Sequence, residues 1–298
     1  MQCIDQESGD GWTLINGDCV ESLKGLPDHS IDYSIFSPPF ASLYTYSNSP
    51  RDMGNCQSDE EFFEHFGYLI AELLRVMRPG HNVSFHCMLM PSSKQMHGYI
   101  GLRDFRGDLI RAFQAHGFIY HSEVCIWKDP VTAMQRTKAL GLLYKTVKGN
   151  ASMSRQGLPD YLVTMRAPGE CPVDERVTHA EEEYPCSLWQ RVASPVWMDI
   201  DASDTLQRES ARDEEDERHI CPLQLDFIER VIRLWSNPGE TVFSPFAGIG
   251  SEPYTAVRLG RYGLGIELKP SYWRTAVDNL RAVEAELAMP SLFDEVES

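Results

Sequence analysis

A hydroxyl, two rings that lack amide hydrogens and an aromatic face stand together at Ser37-Pro38-Pro39-Phe40, directly after the run Ile31-Asp32-Tyr33-Ser34-Ile35-Phe36. Two consecutive prolines cannot continue a sheet, so a strand over 31–36 must stop there and present the next residues at its carboxyl edge, where open α/β sheets bind ligands. Far along the chain, Thr241-Val242-Phe243-Ser244 feeds Pro245-Phe246-Ala247-Gly248-Ile249-Gly250-Ser251. A short strand, a Gly-x-Gly turn and a helix bring backbone N–H groups against a small ligand. The following run, Tyr262-Gly263-Leu264-Gly265-Ile266-Glu267, closes on a carboxylate able to accept hydrogen bonds from both hydroxyls of a ribose. Glycines also end helices and fill turns, so the loop alone decides little.

The elements that must position these residues can be read in order. Trp12 to Asp18 reads as a strand ending in a glycine and a carboxylate, with a short helix through Val20, Leu23 and Leu26 after it. Ala41 to Gln57 is a long loop carrying Tyr44, Tyr46 and Arg51, and loops of that size are more often functional than idle. Ser58 caps a helix with Phe62, Phe66, Leu69, Leu73 and Met77 on one face, stopped at Pro79-Gly80. A strand over 82–89, a helix ended by Gly117 and a strand over 118–127 follow. Strands alternating with helices imply a parallel sheet covered on both faces.

From Lys128 to Glu217 that pattern dissolves. Between Lys128 and Arg166 the basic residues Lys128, Arg136, Lys138, Lys145, Lys148, Arg155 and Arg166 face only Asp129 and Asp160, a positive island suited to phosphate. From Asp199 to Glu217 the sign reverses, which reads as a solvated linker. A helix through Leu225, Phe227, Ile228, Val231, Ile232 and Trp235 then leads to the glycine loop, and Pro270 opens a last helix.

Composition sets the outer bounds. At 298 residues and 42% hydrophobic, the chain can bury one large core or two modest ones. Its net charge of −17 argues against a protein that coats nucleic acid generally, although an average hides local patches. The eight cysteines are scattered without a Cys-x-x-Cys pair, so reduced thiols and no structural metal are expected. No apolar run reaches the length of a membrane span, and the first residues lack the features of a secretory signal, so the expected location is cytoplasmic.

Taken together, the Ser37-Pro38-Pro39-Phe40 and Ser244-to-Gly250 stretches resemble those of the exocyclic-amino DNA methyltransferases. Their order along the chain, with the tetrad first and a basic segment between, is similar to the permuted beta class. The resemblance implies a Rossmann-like S-adenosylmethionine-dependent methyltransferase fold, circularly permuted, α/β with a mostly parallel sheet and helices on both faces, plus a target-recognition insert. It divides the chain into a catalytic half at 1–127, a recognition region and acidic linker at 128–217, and a cofactor-binding half at 218–298.

The implied chemistry suits these residue types. The lone pair of an exocyclic amine is delocalised into the ring, and Ser37 with the Pro38 carbonyl would accept its two hydrogens and favour a pyramidal nitrogen. Pro39 fixes the loop, and Phe40 would stack on a base turned out of the strand. By the same resemblance Phe246, Ala247, Gly248, Gly250 and Ser251 would line the methionine end of the cofactor, Glu267 would hold the ribose and Asp18 the adenine amine. Asp18 has a second reading as a helix cap. His219 and Cys221 fall where backbone contacts to the methionine carboxylate are expected, and Tyr44, Tyr46, Arg51, Lys128, Arg136 and Lys138 would meet DNA. No metal is required, and the product would be S-adenosylhomocysteine. The resemblance allows a monomer or homodimer, a companion restriction nuclease and a nucleoid-associated place in a prokaryotic or phage-infected cell.

Ser244 departs from the family, where an acidic residue is usual; losing a buried charged hydrogen bond would weaken cofactor binding by on the order of 1–3 kcal/mol. Serine at the first tetrad position favours N4 of cytosine over N6 of adenine. RNA or protein-amide methylation and a catalytically silent DNA-binding homologue are the competing expectations.

Overall fold

The computed structural model describes residues 3–40, 52–56, 58–92, 94–131, 142–206 and 222–289. Its strands are β1 (Cys3–Gly9), β2 (Trp12–Gly17), β3 (Ile31–Phe36), β4 (Met77–Met88), β5 (Met90–Ser92), β6 (Gly101–Arg103), β7 (Ile119–Ile126), β8 (Asp160–Arg166), β9 (Val196–Trp197), β10 (Thr241–Ser244) and β11 (Tyr262–Glu267). Among the described residues β5 and β6 pair with each other, and the others form one sheet in the order β1-β2-β11-β10-β3-β4-β8-β7-β9. From β2 to β4 every neighbour is parallel, as the alternation of strands and helices implies. Antiparallel pairing enters at β1 and again around β8, so the sheet is mixed.

The centre of the sheet is where connections diverge. From β10 the chain runs through the helix Ser251–Arg258 to β11 on one side, whereas from β3 it runs through the helix Asp59–Val76 to β4 on the other. β3 and β10 are therefore the pair at which the winding changes direction, which opens a crevice beyond their carboxyl ends.

Burial on both faces explains why β3 has all six residues buried. Phe36 joins Phe62, Phe66, Phe85 and Phe113 on one face, under the helices Asp59–Val76 and Phe105–Ala115. Tyr33 and Ile35 join Phe227, Ile228 and Val231 of the helix Leu225–Trp235 on the other. Ser58 caps the first of these helices as expected, its hydroxyl accepting from the Glu61 amide at 3.2 Å. Trp12 and Leu14 of β2 pack with Trp273, Val277 and Leu280 of the helix Pro270–Ala288. Glu284 of that helix accepts from the Trp12 indole at 2.9 Å and from the Asp10 amide at 3.1 Å.

Two expectations for 128–217 are corrected. The strand pattern does not dissolve at Lys128, because Asp160–Arg166 forms β8 and sits between β4, with which it pairs without interruption, and β7, with which it pairs across one register shift between Tyr120 and Ser122. Leu162, Val163 and Met165 supply its buried apolar residues, a signal masked by the positive charges around it. Nor does the acidic stretch begin as a linker. Asp199 is ion-paired with Arg191 and with buried Arg230, whose hydrogen bond is the main reason its carboxyl is held down to about 2. Asp204 accepts the Asp226 amide at 3.1 Å, tying this stretch to the start of the Leu225–Trp235 helix. Residues 207–217 lie outside the described residues. Among the described residues no helix is long and apolar enough to cross a membrane.

Glu252, in the first turn of the helix Ser251–Arg258, is buried, and burial pushes its carboxyl from 4.5 up to about 8. The folded protein holds this proton more tightly than the unfolded chain, so the stabilisation is complete below about pH 4.5 and is lost as pH rises to about 8. Glu252→Gln is expected to match wild type near the low end of that range. Above it, the variant should be more stable by on the order of 2–4 kcal/mol in denaturant unfolding of the ligand-free protein.

Candidate active site

The two stretches singled out in the sequence meet at the crevice. β3 and β10 pair in parallel, with Phe243 opposite Ser34, and the Ser34 hydroxyl donates to the Phe243 carbonyl at 3.0 Å. One strand therefore releases Ser37 to Phe40 beside the point where the other releases Pro245 to Gly250. Phe36 and Phe246 lie with ring centroids 5.8 Å apart. Phe40 is half-buried, its ring centroid 6.2 Å from that of Phe105.

Hydrogen bonds from both sides fix the glycine loop. The Ala247 amide donates to the Ile266 carbonyl at 2.9 Å, and the Gly250 amide to the Ala247 carbonyl at 2.7 Å. From the other side Asn279 donates to the Ile249 carbonyl at 2.8 Å. Gly248 has φ +54°, and a Cβ there would meet nothing within 4 Å. Its backbone thus needs glycine for conformation and leaves space above it for a ligand. At Gly250, with φ +90°, a Cβ would stand 3.1 Å from that of Ala276.

Glu267 joins the loop to the strand tip. Its Oε2 accepts from the Gly248 amide at 2.9 Å and its Oε1 from the Lys269 amide at 2.8 Å. Burial outweighs these hydrogen bonds and pushes the carboxyl up to about 7. Each oxygen retains a lone pair, so the group can hold the loop and still accept hydroxyls from a ribose. Asp18 stands at the end of the next strand, where Asn16 donates to the Glu267 carbonyl at 2.8 Å. Its carboxylate accepts the Glu21 amide at 2.9 Å, so it is the helix cap of the second reading. Burial above all, and after it the Asp18 and Glu267 carboxylates, push the Cys19 thiol up. Ser244 is fully buried, and neither its hydroxyl nor that of Ser251 has a hydrogen-bond partner among the described residues. Those features suit a polar, ribose-bearing ligand along the loop.

On the tetrad side the structure contributes residues the sequence did not single out. The Ser37 hydroxyl lies 3.5 Å from both His86 Nδ1 and the His86 carbonyl. His86 Nε2 lies 2.9 Å from Asp160 Oδ2. Lys128, expected to meet phosphate, is ion-paired with the buried carboxylate of Asp160, whose charge it balances. Burial would raise the Asp160 carboxyl, but His86 and Lys128 together hold it below its ordinary value. The available signal was register: Phe36 pairs with Phe85, which sets Ser37 next to His86 at the tips of β3 and β4. Arg155, another member of the basic segment, donates to the Gly101 carbonyl at 3.1 Å. Tyr44, Tyr46, Arg51, Arg136, Lys138, His219 and Cys221 lie outside the described residues. Among the described residues no cluster of His, Cys, Asp and Glu could hold a metal ion.

Comparison with known proteins agrees with this architecture. A family model described as DNA methylase, N6_N4_Mtase, matches residues 31–278. The type II methyltransferase M.BglII of Bacillus subtilis is 22% identical over 261 residues, covering 87% of this chain and 66% of its own length. M.BamHI of Bacillus amyloliquefaciens is 25% identical over 259 residues, covering 86% of this chain and 54% of its own length. The chain thus spans just under two thirds of the first relative and about half of the second. The DNA adenine methyltransferase YhdJ of Escherichia coli K12 is 23% identical, covering 90% of this chain and 82% of its own length. Among solved structures, TTHA0409 of Thermus thermophilus, in its complex with S-adenosyl-L-methionine, has a TM-score of 0.66 at 21% identity and covers 90% of this chain and 92% of that one. The cytosine-N4-specific PvuII DNA methyltransferase has a TM-score of 0.62 at 16% identity and covers 92% and 90%. The structural likenesses establish a shared methyltransferase fold, and the family model spans most of the chain, so this protein belongs to the N6/N4 DNA methylase family.

Proposed function

We propose that the protein is an S-adenosylmethionine-dependent DNA methyltransferase acting on the exocyclic amine of a base turned out of its strand, with N4 of cytosine as the target. The observation that carries this reading is the meeting of two stretches some two hundred positions apart at one pair of strand tips, with Phe36 and Phe246 5.8 Å apart. When bound along the glycine loop, S-adenosylmethionine supplies an electrophilic methyl group on a sulfonium sulfur. Glu267 accepts the ribose hydroxyls, the open backbone at Gly248 admits the methionine end beside Phe246, Ala247 and Gly250, and Asp18 stands at the adenine end. The Ser37 hydroxyl and the Pro38 carbonyl accept the hydrogens of the target amine. Phe40 stacks on the base and Pro39 holds the turn rigid.

Cytosine is favoured by serine at the first tetrad position. Adenine N6 is the second reading, supported by the similarity to YhdJ. The order of tetrad, intervening segment and glycine loop supports a permuted beta-class arrangement with target recognition inside 128–217. There β8 and β9 belong to the sheet, and the stretch 142–159 carries exposed Tyr144 with Lys148 over its ring at 5.4 Å. We assign DNA as the partner and the cytoplasm as the location, with service alongside a restriction nuclease as one biological setting.

Mass spectrometry of nucleosides from DNA treated with the protein and S-adenosylmethionine tests the reading. N4-methylcytosine is expected; N6-methyladenine alone would transfer the choice to adenine, and no modified base on any DNA would overturn the function. Ser37→Ala and Phe40→Ala should each slow single-turnover methyl transfer by roughly 100-fold or more while cofactor affinity stays within about threefold. In calorimetric titration, Glu267→Gln should weaken S-adenosylmethionine binding by about 10- to 100-fold, the value of a charged hydrogen bond.

A further inference from the structure

We infer that His86, held by Asp160, acts through Ser37 to draw off the proton that the target amine must lose when it is methylated. The inference rests on the role proposed for Ser37 and extends it to two residues that no sequence motif marks.

Methylation of an exocyclic amine leaves a nitrogen with one proton too many. The Ser37 hydroxyl can accept an amine hydrogen in a fixed direction only if its own hydrogen is committed elsewhere. Two acceptors stand 3.5 Å away, the His86 carbonyl and His86 Nδ1. Only the ring nitrogen can take a proton away. Contacts of this length are usual before substrate tightens a site.

The far side of the ring decides whether Nδ1 carries a lone pair. Nε2 lies 2.9 Å from Asp160 Oδ2, and the same carboxylate is ion-paired with Lys128. Asp160 is buried at 5% exposure and is kept ionised between these two partners. A neutral ring beside that carboxylate carries its hydrogen on Nε2, which leaves the Nδ1 lone pair directed at Ser37. Phe227 packs edge-on against the ring, with centroids 5.8 Å apart at 73°, and fixes its plane. The described groups set against the imidazole are thus Ser37 after β3, Asp160 on β8 with Lys128 behind it, and the uncharged Phe227. Three strands each deliver one polar member, and the order resembles the relay by which serine hydrolases orient a hydroxyl.

The step balances without a further reactant. The amine N–H breaks as its proton passes to Ser37 Oγ, and the amine nitrogen keeps the electron pair. The original Ser37 O–H breaks as its proton passes to His86 Nδ1. Serine ends as a hydroxyl and His86 as an imidazolium beside the Asp160 carboxylate, to be discharged to water afterwards.

The test is single-turnover methyl transfer to DNA between pH 5.5 and 9 at saturating S-adenosylmethionine, for wild type, His86→Asn and Asp160→Asn. Wild type should rise with pH to a plateau, because a protonated ring has no lone pair for Ser37. His86→Asn should be slower by roughly 10- to 100-fold at pH 7.5 and show no such limb, with cofactor affinity within about threefold. Asp160→Asn should be slower by about tenfold or more, with its limb displaced to lower pH because a carboxylate that favours the charged ring is gone. A role confined to packing would lower the rate and leave the limb in place. Transfer by His86→Asn within twofold of wild type, or with the wild-type limb intact, would sink the relay and leave the methyltransferase reading standing. If His86→Asn fails to bind cofactor, the Asp160→Asn limb decides, and an unmoved limb counts against the relay. Wild type that modifies no DNA would overturn both.

Discussion

The parallel pairing of β3 with β10 is the constraint on which the rest depends. Hydrogen bonds between two short central strands bring together segments remote in sequence, and the opposite directions taken by their connections leave a crevice beyond that pair. The centre of the proposed site lies at the tips of these strands and of their neighbours, with the tetrad after β3, the glycine loop after β10, Glu267 at the end of β11 and His86 near the end of β4, while Asp18 after β2 and Asp160 on β8 flank it one strand further out. Were the pairing shifted by one residue, Phe36 would leave the face it shares with Phe85 and Phe113, and the two halves of the site would lose their common core.

Polar groups near this core are managed in two ways. Asp160 remains charged because His86 and Lys128 surround it, whereas Glu252 and Glu267 are pushed toward neutrality by burial with too little cationic compensation. The contrast follows from the partners each group has: Asp160 faces an imidazole and an ammonium, whereas the Glu267 carboxyl is tied to two backbone amides.

Much of this was legible in the residues. Two prolines after an apolar run marked the end of β3, Gly248 and Gly250 marked the turn, and periodic aromatics marked the helix Asp59–Val76. β8 was not legible because its apolar residues sit inside a stretch whose positive charges suggested a phosphate-binding island. The same averaging hid Lys128, a cation spent on a buried carboxylate, and Asp199, an anion locked between two arginines. Charge read along a chain cannot show which partner a fold will bring across a sheet. Ser37 with His86 shows the same limit, since their proximity belongs to register between strands and to no local spacing.

The bond from the Trp12 indole to Glu284 joins the second strand of the sheet to the final described helix, across 272 positions of sequence. Elements far apart in order are therefore flank to flank in space, on the side of the sheet away from β4. A polypeptide whose early and late pieces already touch could be severed at a different surface turn and rejoined there, and it would still assemble the same cleft. The succession of motifs along such a chain is consequently free to vary while the arrangement they build is not.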